Sequence, residues 1–329
     1  MEQTRRAFLK KLVPGLVLGF LVFIGLTLLG DLEQVSESML AFNWKVFPLV
    51  LAFTLFNYTL RFVKWHFYLK LIGAVHIPWR LSLRMFVAGF PLAVTPGKVG
   101  EVLKAIWINR YSGIPTARGV SVVVAERISD GLAVLLLSTL GVIAYPRYWP
   151  AFLAVLLVLL SVIVVSQIRP LAFFILNQLE RVRFLSKVSH MVREFYEGSF
   201  TLFRPLPTLA AVSLGMISWF GEGIGFYLIL TGLGLQPGIT LFSSAVFILA
   251  FSTVVGAVSA LPGGLGAAEA SIAGMLALTG LASPAQASAA TVLIRLATLW
   301  FGVLLGLSAW LFSGDLLGVT NERQSTLED

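Results

Sequence analysis

The sequence has no cysteine, and only 12% of its residues are charged. The first absence excludes disulfides, thiolate metal sites and cysteine nucleophiles together. The second excludes an ordinary soluble domain, in which roughly one-quarter of the residues are charged. Histidine is also scarce: His66, His76 and His190 form no i, i+4 pair and no cluster with carboxylates. We therefore expect no metal site and no cofactor.

Apolar side chains are what the sequence has in excess: 57% of residues are hydrophobic, and the mean hydropathy is +0.89. A helix that crosses a bilayer needs about 20 mainly apolar residues. Six runs have this character, and no strand alternation separates them. The sequence therefore predicts an all-α polytopic membrane protein that forms a single transmembrane domain over 1–329. The six runs are 12–30, 46–63, 119–144, 151–168, 206–231 and 287–312.

Lysine and arginine set the expected orientation, because short cytoplasmic loops retain positive charge. Twenty of the 24 basic residues lie in segments that this rule places inside. We expect a multi-pass protein of the cell (inner) membrane with both termini cytoplasmic and a short polar tail at 313–329. Segment 171–200 mixes an apolar face with basic residues, which predicts an interfacial helical segment on the cytoplasmic leaflet. The net charge of +8 is thus a topology signal, and no nucleic-acid partner is expected.

Two further apolar regions, 84–97 and 240–282, are interrupted by proline and glycine. The first is too short to span and joins two segments assigned inside, so we predict a re-entrant helix. Broken backbone at membrane depth needs protein or a water-filled cavity to satisfy its polar groups. The second region is also predicted to be re-entrant, although 240–260 is long enough to cross alone. The number of hydrophobic segments, six to eight, therefore stays open.

The two irregular regions share a motif and a spacing. The motif P-G-x-x-G is formed by Pro96, Gly97 and Gly100, and again by Pro262, Gly263 and Gly266, with Gly264 between them. A glutamate follows each motif, Glu101 or Glu269, and an arginine follows each glutamate by 26 residues, Arg127 or Arg295. Matches in register indicate an internal duplication. We predict two repeats, about 46–144 and 206–312, inverted relative to each other, an arrangement common in alternating-access carriers.

Charges inside predicted spans carry the functional argument, because each costs about 2.5–3.5 kcal/mol on insertion scales unless it is paired or hydrated. One interpretation is a polar path for a charged group, with arginines as planar donors suited to phosphate and the glutamates as their partners in the empty state. The other is a set of ion pairs that hold helices together. The residues concerned are Glu101, Glu126, Arg127, Asp130, Glu222, Glu269 and Arg295.

Basic residues near the cytoplasmic leaflet also have two explanations. They are candidates for contact with anionic headgroups, but the positive-inside rule alone explains them. These candidates are Lys98, Lys104, Arg84 and Arg118. Arg61, Lys64 and Trp65 end the predicted second span, at a position typical of interfacial anchors.

Taken together, these motifs resemble those of a known family. The strings PGKVGEVLKAIWI, AERISD at 125–130 and LPGGLGAAE at 261–269, followed by a span with Arg295, are similar to the flippase-like membrane region of the lysylphosphatidylglycerol synthases and its stand-alone relatives. The resemblance covers about residues 10–312. It implies a two-repeat bundle with re-entrant helices that moves a lipid between leaflets. The soluble aminoacyl-transfer domain of the full synthases has no counterpart in the sequence, so lipid aminoacylation is not expected.

The function expected from the sequence is that of a lipid translocase, a flippase-like carrier and not an enzyme. Its substrate is expected to be a membrane phospholipid or a polyprenyl-phosphate lipid whose headgroup enters a polar cleft between the repeats. Two alternatives remain open: an accessory membrane subunit of an envelope lipid or glycan assembly system, and an intramembrane lipid-modifying enzyme. A second copy of the chain or a membrane enzyme is left open as protein partner.

Overall fold

The computed structural model describes residues 31–95, 100–142, 149–170, 186–313 and 316, with isolated positions at 17, 19, 21, 22 and 25. The described residues are almost all helical, and no β-strand occurs among them. The predicted all-α class is confirmed. Most of the predicted first span and of the polar tail lie outside the described residues, as do 96–99 and 171–185.

The described α-helices are numbered in chain order. They are α1 Leu32–Ala41, α2 Phe47–Leu71, α3 Trp79–Ala88, α4 Val102–Ser112, α5 Thr116–Val142, α6 Trp149–Gln167, α7 Ser186–Leu202, α8 Pro205–Gly232, α9 Ile239–Val258, α10 Ala267–Leu278, α11 Pro284–Arg295 and α12 Phe301–Leu311. Turns of 3₁₀ helix lie at Trp44–Val46, Phe90–Val94 and Pro262–Gly264. A π-helical turn, Leu296–Trp300, joins α11 to α12 without a break.

Four helical stretches of the described chain are long and apolar enough to cross a membrane: Trp44–Leu71, Pro205–Gly232, Ile239–Val258 and Pro284–Leu311. Helix α5 has 27 residues, which gives a length of about 40 Å at about 1.5 Å per residue. It is therefore also long enough to span, although charged residues lie near its middle. Helix α6 contributes the shorter apolar stretch Phe152–Gln167. The polytopic membrane class predicted from composition is confirmed.

The order of elements repeats along the chain. A long helix, a second helix, a 3₁₀ turn, a third helix and another long helix occur first in α2 to α5 and then in α8 to α12. This order is what an internal duplication predicts. Helix α9 is long enough to cross a bilayer, whereas α10, with 12 residues, is too short. The re-entrant topology of 240–282 and the inversion of the repeats stay predictions.

The backbone forms two compact units, which do not coincide with the predicted repeats. The first unit comprises Met1–Phe56, Arg84–Gly100 and Phe220–Asp329, and the second comprises Asn57–Leu83 and Glu101–Trp219.

Within the first unit, the two 3₁₀ turns next to the Pro-Gly motifs pack against each other. Gly263, with φ of 61°, is in the left-handed region, and a Cβ there would lie 3.2 Å from Val94 Cγ1. Trp310 Nε1 of α12 donates to the carbonyl of Ala88 at 2.8 Å, which fastens α12 beside the first turn. The two irregular regions predicted from proline and glycine are thus neighbours in one unit.

Within the second unit, α5 is the central helix and packs against α4, α6 and α7. Gly119 allows the closest approach to α4, because a Cβ there would lie 3.0 Å from Ala105 Cα. The turn between α4 and α5 uses Gly113 at φ 73°, a left-handed helix end that glycine adopts without strain. This tight hairpin sets the register between α4 and α5, and with it the position of the charges on both helices.

Candidate functional site

The first glutamate–arginine pair lies in the second unit. Glu101 is the residue before α4 and is 3% exposed. Arg127, in the middle of α5, donates from Nε to Glu101 Oε2 at 3.0 Å, and its side chain is 37% exposed. The α4–α5 hairpin brings together two residues that are 26 positions apart. The pairing expected from the sequence is therefore present.

The second pair lies in the first unit and is held more tightly. Arg295 Nε lies 2.5 Å from Glu269 Oε1, and Arg295 Nη2 donates to the carbonyl of Gly263 at 3.0 Å. Glu269 also accepts from the backbone N–H of Gly266 at 2.7 Å, which caps α10. The side chains of Arg295 and Glu269 are 15% and 4% exposed. One arginine thus links a helix start to the carbonyl of the Pro-Gly turn.

A π-helical turn begins directly after Arg295. Such turns are rare, occur mostly as single-turn insertions, and are frequent at functional sites. Helix α5, in contrast, continues as regular α-helix past Arg127. The same 26-residue spacing therefore leads into two different backbone geometries.

Two further carboxylates of α5 have basic partners within the second unit. Lys104 Nζ lies 3.4 Å from Glu126 Oε2 and 5.0 Å from the centre of the Trp65 ring. Asp130 pairs with Lys64, whose ammonium also donates to Ser129 Oγ at 3.2 Å.

Arg61 makes a second ion pair with Asp130, at 3.4 Å from Nη2 to Oδ2. The second unit therefore has a cluster of four basic and three acidic side chains, with a formal charge of +1. We call it the charge cluster; its members are Arg61, Lys64, Lys104 and Arg127 with Glu101, Glu126 and Asp130. All but Arg127 are at most 14% exposed as side chains.

Three members of this cluster were not predicted as path residues. Lys64 and Trp65 are each 0% exposed, so the prediction that they are interfacial anchors is wrong. Lys64 is instead paired with Asp130. Helix α2 continues to Leu71, past the end of the predicted apolar run at 63. Lys104 is 3% exposed and faces Glu126 instead of the leaflet surface. A signal was present: Asn57, Arg61 and Lys64 recur at helical spacing on one face of α2.

The remaining candidates are placed as follows. Glu222 is buried in the part of α8 that belongs to the first unit. Arg84 Nε donates to Ser313 Oγ at 3.3 Å, and Arg118 Nη2 lies 2.6 Å from Glu194 Oε2 of α7. Pro96, Gly97 and Lys98 lie outside the described residues. Of the predicted interfacial segment, the part in α7 is described, and it packs against α5.

Gly264 and Gly266 have φ of 69° and 87°, so the second motif needs glycine at these positions. Of the first motif, Gly100 is described, and its backbone N–H donates to Thr95 Oγ1 at 3.0 Å. Within the described chain, no group of three or more His, Asp or Glu side chains is arranged to hold a metal ion.

The fold and the site define a class of protein: a polytopic α-helical membrane protein with two glutamate–arginine ion pairs at the same sequence spacing. The profile of the lysylphosphatidylglycerol synthase TM region matches residues 16–306, and the chain belongs to that family. The resemblance read from the motifs is confirmed. A UPF0104 membrane protein of Methanothermobacter thermautotrophicus is 25% identical over 331 residues, 93% of each chain. A second UPF0104 membrane protein of that organism is 26% identical over 235 residues, 64% of this chain and 68% of its own length.

Proposed function

We propose that this protein is a lipid translocase, a flippase-like carrier that moves a phosphate-bearing lipid between membrane leaflets without changing it chemically. The observation that carries the proposal is an ion pair between a buried glutamate and an arginine, which occurs twice at the same spacing in a membrane protein. Membership of the lysylphosphatidylglycerol synthase TM family supports a lipid as the substrate. The substrate class is a membrane phospholipid or a polyprenyl-phosphate lipid.

The physical argument concerns the headgroup. Moving a charged headgroup through hydrocarbon requires the loss of its hydration, which costs far more than moving the acyl chains. Fixed charges and dipoles along the path replace part of that hydration. A guanidinium donates two parallel hydrogen bonds to a phosphate, so an arginine can exchange a carboxylate partner for the headgroup. Arg127 is the more accessible of the two paired arginines, at 37% side-chain exposure against 15% for Arg295.

The ion pairs serve a second purpose in this proposal. In the absence of lipid, Glu101 and Glu269 keep the arginines neutralised, which limits the cost of burying them. No nucleotide-binding loop of the Walker A type occurs in the sequence, so transport is proposed to be passive, partner-driven or coupled to an ion gradient. The cell (inner) membrane as location and cytoplasmic termini belong to the same proposal.

The test is leaflet exchange in liposomes that contain the purified protein and headgroup-labelled phospholipid or polyprenyl-phosphate lipid. A reductant that cannot permeate reports the fraction of label reaching the outer leaflet. We expect exchange in the wild type and at least a roughly tenfold slower rate in Arg127→Gln, since a charged hydrogen bond is worth about 1.5–3 kcal/mol. Arg110→Gln makes the same charge change at an exposed position of α4 and is the matched control.

The other outcomes decide between the alternatives. Chemical conversion of the labelled lipid would indicate an intramembrane enzyme. Neither exchange nor conversion with any tested lipid would indicate an accessory subunit. Exchange that is equally fast in Arg127→Gln would contradict the role given to the ion pair.

A further inference from the structure

One face of α2 is polar although the helix is buried there. Asn57, Arg61 and Lys64 follow one another at intervals of four and three residues. Asn57 and Lys64 are both 0% exposed, and the Arg61 side chain is 14% exposed. From Asn57 to Lys64 the helix rises by about 10 Å, a third of the thickness of about 30 Å of a bilayer core. These residues belong to the second unit.

Several polar atoms at this face have no hydrogen-bond partner among the described residues. They are Nδ2 and Oδ1 of Asn57, Nε of Arg61 and the ring nitrogen Nε1 of Trp219 on α8. Three of these four atoms are donors. The guanidinium carbon of Arg61 lies 5.8 Å from the centre of the Trp219 ring, so two of the donors belong to neighbouring side chains. Buried donors without an acceptor are rare in folded proteins, and each calls for a specific explanation.

The charges within the charge cluster are also unevenly paired. Asp130 is the carboxylate for both Lys64 and Arg61, whereas Lys104 and Arg127 each have a glutamate of their own. The excess of one positive charge in the charge cluster therefore arises at Arg61 and Lys64. Two buried cations that share one carboxylate are costly, and an anion beside them would lower that cost.

We propose that Asn57, Arg61 and Trp219 form a binding site for a phosphate group, next to the ion pair of Lys64 and Asp130. The three donors would each donate to a phosphate oxygen, and the excess positive charge would balance the anion. The Trp219 ring lies beside the guanidinium at cation–π distance, which limits the freedom that Arg61 loses on binding. This inference rests on the proposed function, in which the phosphate is part of the lipid headgroup, and it moves the first contact from Arg127 to Arg61.

A binding measurement tests the site independently of transport. The purified full-length protein in an uncharged maltoside detergent is titrated with dihexanoyl phosphatidic acid, with inorganic phosphate and with dihexanoylglycerol, which lacks phosphate. The unfolding temperature is recorded, since a ligand that binds only the folded state raises it. We expect phosphatidic acid to raise the Tm of the wild type and dihexanoylglycerol to leave it unchanged.

Three variants each remove one donor. Arg61→Gln and Trp219→Phe are expected to weaken the apparent affinity by about tenfold or more, the loss typical of a hydrogen bond to a charged group. Trp219→Phe keeps the aromatic contact, so it separates the N–H from the packing. Asn57→Leu should also weaken binding, yet raise the Tm without ligand, because it removes a buried amide that lacks partners. Arg110→Gln is the matched control and should bind like the wild type.

The three probes also identify the source of the phosphate. Binding of phosphatidic acid far more tightly than inorganic phosphate assigns the site to a lipid headgroup. Equal affinity, lost in the same variants, assigns it to free phosphate. A Tm shift that is unchanged in Trp219→Phe and Asn57→Leu, or that dihexanoylglycerol produces as well, overturns the site. If Arg61→Gln does not fold, Arg61→Lys replaces it in this test. An affinity of folded Arg61→Lys equal to that of the wild type would overturn the role of the guanidinium.

Leaflet exchange separates this inference from the proposed function. Binding that depends on Asn57 and Trp219 in a protein that exchanges no lipid would leave the site standing and refute the translocase. Lipid exchange at wild-type rate in Asn57→Leu and Trp219→Phe would leave the translocase standing and refute the site.

Discussion

The two glutamate–arginine pairs have the same spacing in the sequence and different surroundings in the structure. Arg127 is paired with Glu101 at 37% side-chain exposure and stands in a cluster with one excess positive charge. Arg295 is 15% exposed, and besides Glu269 it binds the carbonyl of Gly263. The same spacing thus yields the same ion pair twice, and the neighbouring groups distinguish the two pairs. We infer that the second pair fastens a Pro-Gly turn, while the first is able to exchange its partner.

The largest expected effect is on stability, and it separates the two pairs directly. Glu269→Gln preserves an acceptor for the Gly266 N–H but leaves the buried Arg295 without a carboxylate, which should cost about 3–5 kcal/mol. Glu101→Gln leaves an arginine whose side chain is 37% exposed, so the loss should be smaller, about 1 kcal/mol or less. Thermal unfolding of both variants in one detergent measures the difference. Equal losses, or a larger loss in Glu101→Gln, would show that the difference in exposure does not set the strength of the pairs.

A smaller effect is expected at the turn that Arg295 binds. Gly263→Ala places a side chain on a residue with φ of 61°, and this left-handed conformation costs about 1–2 kcal/mol. The added Cβ also lies 3.2 Å from Val94 Cγ1. Gly113→Ala has the same strain at φ 73° in the second unit, but no atom lies within 4 Å of the added Cβ. We expect Gly263→Ala to lower the Tm more than Gly113→Ala.

Gly274→Ala is the control for glycine replacement, because it lies inside α10 with nothing within 4 Å of the added Cβ. This substitution should stabilise the protein, by up to about 1 kcal/mol, through helix propensity. A Gly263→Ala variant as stable as Gly274→Ala would mean that the turn does not depend on its left-handed glycine.

The sequence was sufficient to predict the fold class, the duplicated motif and the two glutamate–arginine sets. Hydrophobic runs report burial in lipid directly, and a short hairpin turn converts a fixed spacing along the chain into a contact. Lys64 and Asp130 are 66 residues apart and lie on α2 and α5, with α3 and α4 between them in the chain, so no local pattern predicts their contact. Read locally, a lysine near the end of an apolar run indicates an interfacial anchor. A tertiary partner reverses that interpretation at Lys64, and it does so again at Lys104.

The smallest effect is expected outside both pairs, at Arg118. Its guanidinium lies 2.6 Å from Glu194 and is 32% exposed, so the ion pair should contribute about 0–1 kcal/mol. If Arg118 contacts the headgroup, neutralising it should slow leaflet exchange. If Arg118 only pairs with Glu194, neutralising it should leave the exchange rate unchanged. Because Arg118 lies outside the charge cluster and pairs with Glu194 at the contact between α5 and α7, we expect Arg118→Gln to exchange lipid at the wild-type rate and to lower the Tm only slightly. A rate reduced as far as in Arg127→Gln would extend the lipid path to the α5–α7 contact and would weaken the distinction drawn between the paired arginines and the other basic residues.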